Sequence, residues 1–301
     1  MTGRICFAII CLMLILSRCV VAAEQRDRSA SAKSIRVASL SILPVKWDKS
    51  ANAKKIERMV RQAAGQGAQL VITPEGVLEG YVVGEVVRET DPDKKAKLIR
   101  RFNDIAEPID GQYFQRFCEL ADELDIHLIL GFLEKVGKKT YNTAALIGPD
   151  GKLLGKYHKT HFARGYDVNP PGFRPGSDYP VFDIGRLKVG MLICFDRRPP
   201  EPSRQLAIAG ADLIACPAYG GWGEKNTRLL QVRAWENQVF FIFTHPEQSL
   251  IIDRDGDLLK EASQDAVLIH DIDLSNLNKN RAALTKRRPE TYRGLADQTR
   301  K

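Results

Sequence analysis

Three side chains in this 301-residue chain combine type and setting in a way that could do covalent chemistry. Cys194 ends the apolar run 189–193 and precedes Phe195, Asp196, Arg197, Arg198, two prolines and Glu201. That pattern predicts a strand entering a turn and then a helix, a setting that holds a side chain rigid yet reachable. Neighbouring arginines and a helix N-terminus would favour the anionic, reactive form of the sulfur. A sulfur nucleophile also needs a base and a group that steadies the oxyanion. Glu75 follows the segment 69–74, and Lys159 follows 153–157, so each charge stands at the end of a predicted strand. Taken singly, each residue has a plainer reading: a buried structural cysteine and two solvated loop charges.

The elements that must position these groups can be traced along the chain. Residues 35–40 read as a buried strand, and 49–64 as a helix with Ile56, Met59, Val60 and Ala63 on one face. Residues 69–73 read as a second strand, so the chain opens with a β-α-β unit that favours parallel pairing. A helix is predicted over 113–124 and strands over 127–134, 143–147 and 153–157. The last two strands flank a Gly-Pro-Asp-Gly turn. Further on come the strand 189–193, a short helix at 206–209, a strand at 212–216, a helix at 224–237 and a strand at 239–244. A second hairpin, 249–253 with 258–261, turns on Asp255-Gly256, and 266–272 closes the pattern. Alternating strands and helices with hairpins inserted suit two packed sheets covered by helices on their outer faces, an α/β class.

Taken together in chain order, these segments resemble the nitrilase, or carbon–nitrogen hydrolase, superfamily. The matching pieces are Thr-Pro-Glu-Gly at Glu75, Gly-Lys-Tyr-His-Lys-Thr-His at Lys159 and Ile-Cys-Phe-Asp at Cys194. Similar segments occur at Gly-Phe-Leu-Glu (Glu134), Phe-Arg-Pro-Gly (173–176), 209–218, 233–240, the late hairpin and Arg-Arg-Pro-Glu-Thr-Tyr, so the resemblance spans roughly 35–293. It implies a four-layer α-β-β-α sandwich and a Glu-Lys-Cys triad. Glu75 would be the general base and Cys194 the attacking group. Lys159 and the Phe195 N–H would steady the oxyanion, and Glu134 would orient Lys159 and the leaving amine. A thioester would form, an amine or ammonia would leave, and no metal or other cofactor would be required. Arg197 and Arg198 resemble the paired arginines of N-carbamoyl-D-amino-acid hydrolases, which implies that they hold a substrate carboxylate. An arginine fork suits that task; the alternative is that they pair with Asp196 or Glu201. Two departures from the family pattern stand out: Thr244-His245-Pro246-Glu247-Gln248 replaces its usual Asn and Gly, and Pro199 replaces an aromatic residue.

The bulk properties narrow the setting. Arg4, the apolar run 5–16 and small residues at Val21 and Ala23 describe a secretory signal, residues 1–23, too short to span a bilayer readily. A leader at 24–34, a hydrolase domain at 35–275 and a basic tail at 276–301 would follow. The expected product is an exported protein with no membrane span after processing. The formal charge of +8 is concentrated in that tail, which lacks interleaved aromatics apart from Tyr292 and reads as solvated rather than as a nucleic-acid surface. Cys118, Cys194 and Cys216 would remain after processing, with Cys118 and Cys216 expected to be buried and reduced. His158 and His161 form His-x-x-His without a nearby third ligand. Asp253, Asp255 and Asp257 lack the calcium-loop spacing, so no metal site is expected. The partners expected are a small amide or carbamoyl substrate and further copies of the chain, in a homodimer or a higher homo-oligomer. A nitrile hydrolase and an inactive binding protein of the same fold are the alternatives.

Overall fold

The computed structural model describes residues 33–163, 169–277, 281–292 and 294. The expected signal, most of the leader and much of the basic tail lie outside the described residues. The first sheet contains β1 (Ser34–Leu40), β2 (Leu70–Ile72), β3 (His127–Val136), β4 (Lys139–Ile147), β5 (Leu153–His158) and β12 (Val267–Asp273), ordered β12-β1-β2-β3-β4-β5. The second contains β6 (Val181–Asp183), β7 (Lys188–Met191), β8 (Leu213–Pro217), β9 (Phe240–Thr244), β10 (Ser249–Ile252) and β11 (Leu258–Ala262), ordered β11-β10-β9-β8-β7-β6. In each sheet three central strands run parallel (β1-β2-β3 and β7-β8-β9) and the outer pairings are antiparallel.

Helices α1 (Lys49–Gly65) and α4 (Gln112–Leu124) cover the outer face of the first sheet. Ile56, Met59, Val60 and Ala63 meet Phe114, Phe117 and Leu120 over Leu128, Leu130 and Phe132. Each large apolar side chain buried here contributes about 1.5–3 kcal/mol. Helices α5 (Pro200–Ile208) and α6 (Glu224–Asn237) pack against the second sheet through Leu206, Ala207, Leu230 and Ala234. The expected α-β-β-α sandwich is therefore present. Between the sheets, Ser39 Oγ and Thr244 Oγ1 are 2.7 Å apart, and Ser41 Oγ donates to Ser249 Oγ at 2.8 Å. These bonds satisfy buried hydroxyls and tie β1 and its exit to β9 and β10.

Two helices stand where no element was expected: α2 (Val83–Arg88) and α3 (Pro92–Ile105). Asp91 caps α3, its carboxylate accepting from the N–H groups of Asp93 and Lys94, and Pro92 follows at the first helical position. That pairing is a helix-start signal. α5 begins six residues before the expected 206, again on a proline. A short last helix, α7 (Ala282–Thr285), follows β12. Among the described residues no helix is long and apolar enough to cross a membrane.

Candidate active site

Glu75 sits just beyond β2, and the sequence around it explains how it gets there. Thr73 donates from Oγ1 to the Ile129 carbonyl at 3.1 Å and accepts from the Gly131 N–H at 2.9 Å. Gly131 must be glycine for this approach, because a Cβ there would lie 2.1 Å from the Pro74 oxygen. The carboxylate so placed is fully buried. Its Oε1 accepts from Lys159 Nζ at 2.6 Å and from Asn142 Nδ2 at 2.8 Å. Its Oε2 is buried with no hydrogen-bond partner among the described residues. A buried carboxylate oxygen left unsatisfied is costly, so it marks a place where a proton or substrate atom belongs.

Lys159 follows β5, and its own N–H donates to the Asn142 carbonyl at 2.9 Å. The glycine of Phe-Arg-Pro-Gly, Gly176, donates its N–H to the Lys159 carbonyl at 2.9 Å. Burial pushes the Lys159 ammonium pKa down, but its surroundings, the Glu75 carboxylate first among them, outweigh it and the net displacement is upward. Lys159 therefore remains a fixed cation.

Cys194 leaves β7 through Leu192 and Ile193 and takes a left-handed backbone, φ 51°. A non-glycine residue held there costs of order 1–3 kcal/mol, and such strain persists only when its surroundings enforce it. Asp196 does the enforcing. Fully buried, it accepts from the Ile193 N–H (3.1 Å), Tyr157 Oη (2.8 Å), Thr160 Oγ1 (3.0 Å) and the His161 N–H (2.7 Å). One carboxylate thus locks the nucleophile turn onto the segment carrying Lys159. The residues 194–197 form a single 3-10 turn, and the first N–H groups of such a turn have no acceptor within it, which leaves the Phe195 N–H available. Phe195 itself is half-buried. The Cys194 thiol donates to the Gly220 carbonyl at 3.5 Å.

The paired arginines divide sharply. Arg197 is buried, and all five of its N–H groups have acceptors. They reach Asn226 Oδ1 (2.6 Å), the carbonyls of Cys194 (2.5 Å), Gly220 (3.1 Å) and Gly221, and Cys194 Sγ at 3.6 Å. No donor is left to grip a carboxylate, so the expectation that Arg197 binds substrate is corrected: it braces the nucleophile loop and sets a positive charge beside the sulfur. Arg198 is exposed, and neither arginine pairs with Asp196 or Glu201. Replacing Arg197 by lysine keeps the charge but strands several buried carbonyls. Each unsatisfied group costs roughly 1–3 kcal/mol, so thermal unfolding is expected to fall by more than about 5 °C and kcat by more than about tenfold. A variant with wild-type melting and turnover would contradict this account.

Glu134 requires a second correction. Opposed residues in an antiparallel ladder share a face, and successive residues along a strand switch faces. The pairings Phe132–Thr143 and Thr143–His158 put Glu134, Thr143 and His158 on the helix-facing side, whereas Asn142, Tyr157 and Lys159 face the second sheet. Buried Glu134 accepts from Thr143 Oγ1 (2.9 Å), His158 Nε2 (2.7 Å) and Lys156. It holds Lys156 rather than Lys159. Burial pushes its carboxyl up, but His158 and Lys156 outweigh that and hold it below the usual range. The two histidines of His-x-x-His diverge, His158 to Glu134 and His161 to Asp196.

Residues the sequence reading passed over complete the site. Asn142 orients Glu75. Tyr81, also left-handed at φ 52°, stacks on Tyr219 with ring centroids 4.3 Å apart. Burial and the charge of Glu75 push its hydroxyl pKa up, so it stays neutral. The departure at 244–248 proves to be a brace. Burial pushes His245 down to about 4; its neutral ring contacts the Tyr219 carbonyl through Nε2 (2.6 Å) and accepts the Glu247 N–H through Nδ1 (2.9 Å). A cavity of about 110 Å³ opens on this cluster, lined by Tyr81, Asn142, Lys159, Arg88, Phe162 and Phe173 among others. All three described cysteines are free and buried. Cys118 lies in the helix-facing cluster of the first sheet and Cys216, on β8, in the separate cluster that holds the second sheet, which keeps them apart.

The family model for carbon–nitrogen hydrolases matches residues 36–282, most of the chain. The chain belongs to the carbon–nitrogen hydrolase family. Among its relatives is the omega-amidase of Homo sapiens, 31% identical over 269 residues that cover 81% of this chain and 90% of the relative. A nitrilase of Pyrococcus abyssi is 33% identical over 215 residues, covering 69% and 73%. In fold, the chain resembles an amidase from Nesterenkonia sp. AN1 at a TM-score of 0.69, with 22% identity and coverage of 87% and 97%. This carbon–nitrogen hydrolase is therefore a nitrilase-superfamily enzyme that acts on carbon–nitrogen bonds other than peptide bonds.

Proposed function

We propose that this hydrolase cleaves the terminal amide of a small carboxylate-bearing substrate through a thioester on Cys194, releasing ammonia. The observation that carries the mechanism is the partnerless Oε2 of Glu75, on the same carboxylate that Lys159 holds through Oε1. The thiol proton passes from Cys194 to Glu75 Oε2 as the sulfur forms a bond to the amide carbon. Lys159 Nζ and the Phe195 N–H steady the resulting oxyanion. As the carbon–nitrogen bond breaks, Glu75 returns its proton to the departing nitrogen. A water molecule then gives a proton to Glu75 and attacks the thioester, the carbon–sulfur bond breaks, and the thiol regains the proton. The buried site excludes bulk water, which strengthens each of these charge interactions. The choice of a carboxylate-bearing amide is supported by the omega-amidase relative and by a cavity whose lining, among the described residues, holds two cations, Lys159 and Arg88, and no carboxylate.

Ammonia release from succinamate, neutral amides, N-carbamoyl amino acids and nitriles tests this reading, with thioester trapping by hydroxylamine as a second readout. Turnover of succinamate with hydroxamate formation is expected. Activity confined to nitriles or to carbamoyl compounds would overturn the choice of substrate.

We further infer that α5 and α6 present a face to a second copy of the chain. Ile208, Val232 and Trp235 are exposed there, Trp235 by 62%, and large exposed apolar groups clustered on one face mark interaction surfaces. Light scattering is expected to give twice the chain mass, and Trp235→Glu to give the single mass. A wild-type monomer would refute the inference.

A further inference from the structure

Resting on the reading of a carboxylate-bearing amide, we propose that Arg88 is the residue that holds the substrate's carboxylate. Among the described residues, Arg88, Arg197 and Arg198 stand near the candidate site, and their surroundings separate them. Arg197 spends every donor on the nucleophile loop. Arg198, exposed like Arg88, does not line the cavity. Arg88, the last residue of α2, lines the same cavity as Lys159 and Asn142. Among the described residues its guanidinium has no ion pair or hydrogen bond, and no carboxylate lines the cavity to compete for it. The remaining lining cation, Lys159, is committed to Glu75.

The geometry of α2 explains how the guanidinium is kept there. Residues four apart share a helix face, and Gly84 stands four residues before Arg88. A Cβ at Gly84 would lie 3.0 Å from Arg88 Nη2, so the absent side chain lets the guanidinium lie back along the helix. Both residues line the cavity, and the Arg88 charge is felt by the Tyr81 hydroxyl. α2 is itself anchored, Val82 and Val86 packing with Phe102 of α3 and with Leu133 and Phe173. The cavity therefore has an oxyanion-stabilising cation at one part of its wall and an arginine fork at another. That arrangement suits a short molecule with an amide at one end and a carboxylate at the other, because the fork can take both carboxylate oxygens.

The test compares kcat/KM for succinamate and for butyramide, which have the same chain length but differ in the carboxylate. Arg88→Ala and Arg88→Gln are expected to lower the succinamate-to-butyramide ratio at least tenfold, the loss falling on KM for succinamate, with Arg88→Lys recovering part of it. If wild-type enzyme prefers succinamate and Arg88→Ala prefers it equally, the assignment of Arg88 fails while the acid-amide reading stands. Equal depression of both substrates would make Arg88 a structural residue and also overturn the assignment. If wild-type enzyme turns over butyramide but not succinamate, the acid-amide reading fails and takes Arg88 with it.

Discussion

Cys194→Ala is expected to lower kcat by at least about 10⁴-fold, the order of loss seen when a covalent nucleophile is removed, while leaving the fold in place. The side chain is 4% exposed and contributes only two weak contacts, its donation to the Gly220 carbonyl at 3.5 Å and its acceptance from Arg197 at 3.6 Å. Asp196 continues to hold the turn through main-chain and hydroxyl partners that the substitution does not touch. A change in melting temperature of only a few degrees is therefore expected beside the loss of turnover. Thiol labelling supplies the independent readout. Burial pushes the Cys216 thiol far up, and burial together with Glu119 pushes Cys118 up, so both are poor competitors for an alkylating reagent at neutral pH. One equivalent of iodoacetamide, mapped to the peptide containing Cys194, should abolish activity, and substrate should protect against it. Residual activity above about 1% of wild type in the alanine variant, or modification at Cys118 with full inactivation, would remove Cys194 from the mechanism.

The parts of this molecule that were legible in sequence are those governed by local rules. Periodicity located α1, α4 and α6 and most strands, because a single buried face imposes a regular pattern. Strand ends located Glu75, Lys159 and Cys194, because a charge or a thiol after an apolar run has few other places to go. What escaped depends on faces and on distant partners. Glu134 looks equivalent to Lys159 as a strand-end charge, yet the ladder register turns it to the other side of the sheet, and register is set by pairing with β4 and β5. Arg197 and Arg198 are adjacent and alike in sequence. Only the carbonyls of Gly220 and Gly221 and the amide of Asn226, more than twenty residues away, make one a buried brace and leave the other exposed. α3 was within reach, since Asp91-Pro92 is a helix start. The role proposed for Arg88 was not, because it rests on the absence of a partner among the described residues, which no spacing reveals.

Glu75→Gln is expected to reduce kcat by roughly 10³–10⁴-fold, at the upper end for a general base because the same carboxylate moves protons in both halves of the reaction. Its effect on stability is the sharper test of the site. The amide keeps the volume of the side chain but removes the negative charge opposite Lys159, whose ammonium is only 4% exposed. Removing one partner of a buried ion pair typically costs about 3–5 kcal/mol, since it leaves an uncompensated buried charge. In wild type the Glu75 charge heads the influences that hold the Lys159 ammonium pKa up against burial. Without it the balance moves toward deprotonation, so the variant should regain stability as pH rises, by giving up the proton that burial penalises. The sign follows from linkage: a lysine whose folded pKa drops below its unfolded value favours unfolding at low pH, and loses that penalty as pH climbs from the folded pKa to the unfolded one. Adding Lys159→Met to Glu75→Gln should restore much of the lost stability, because the stranded charge is gone, yet leave the enzyme inactive. Chemical denaturation of wild type, both single variants and the double variant closes the cycle. A double variant no more stable than Glu75→Gln alone would mean that the pair contributes nothing to the fold. A single variant retaining a tenth of wild-type kcat would mean that the proton leaves the sulfur by another route.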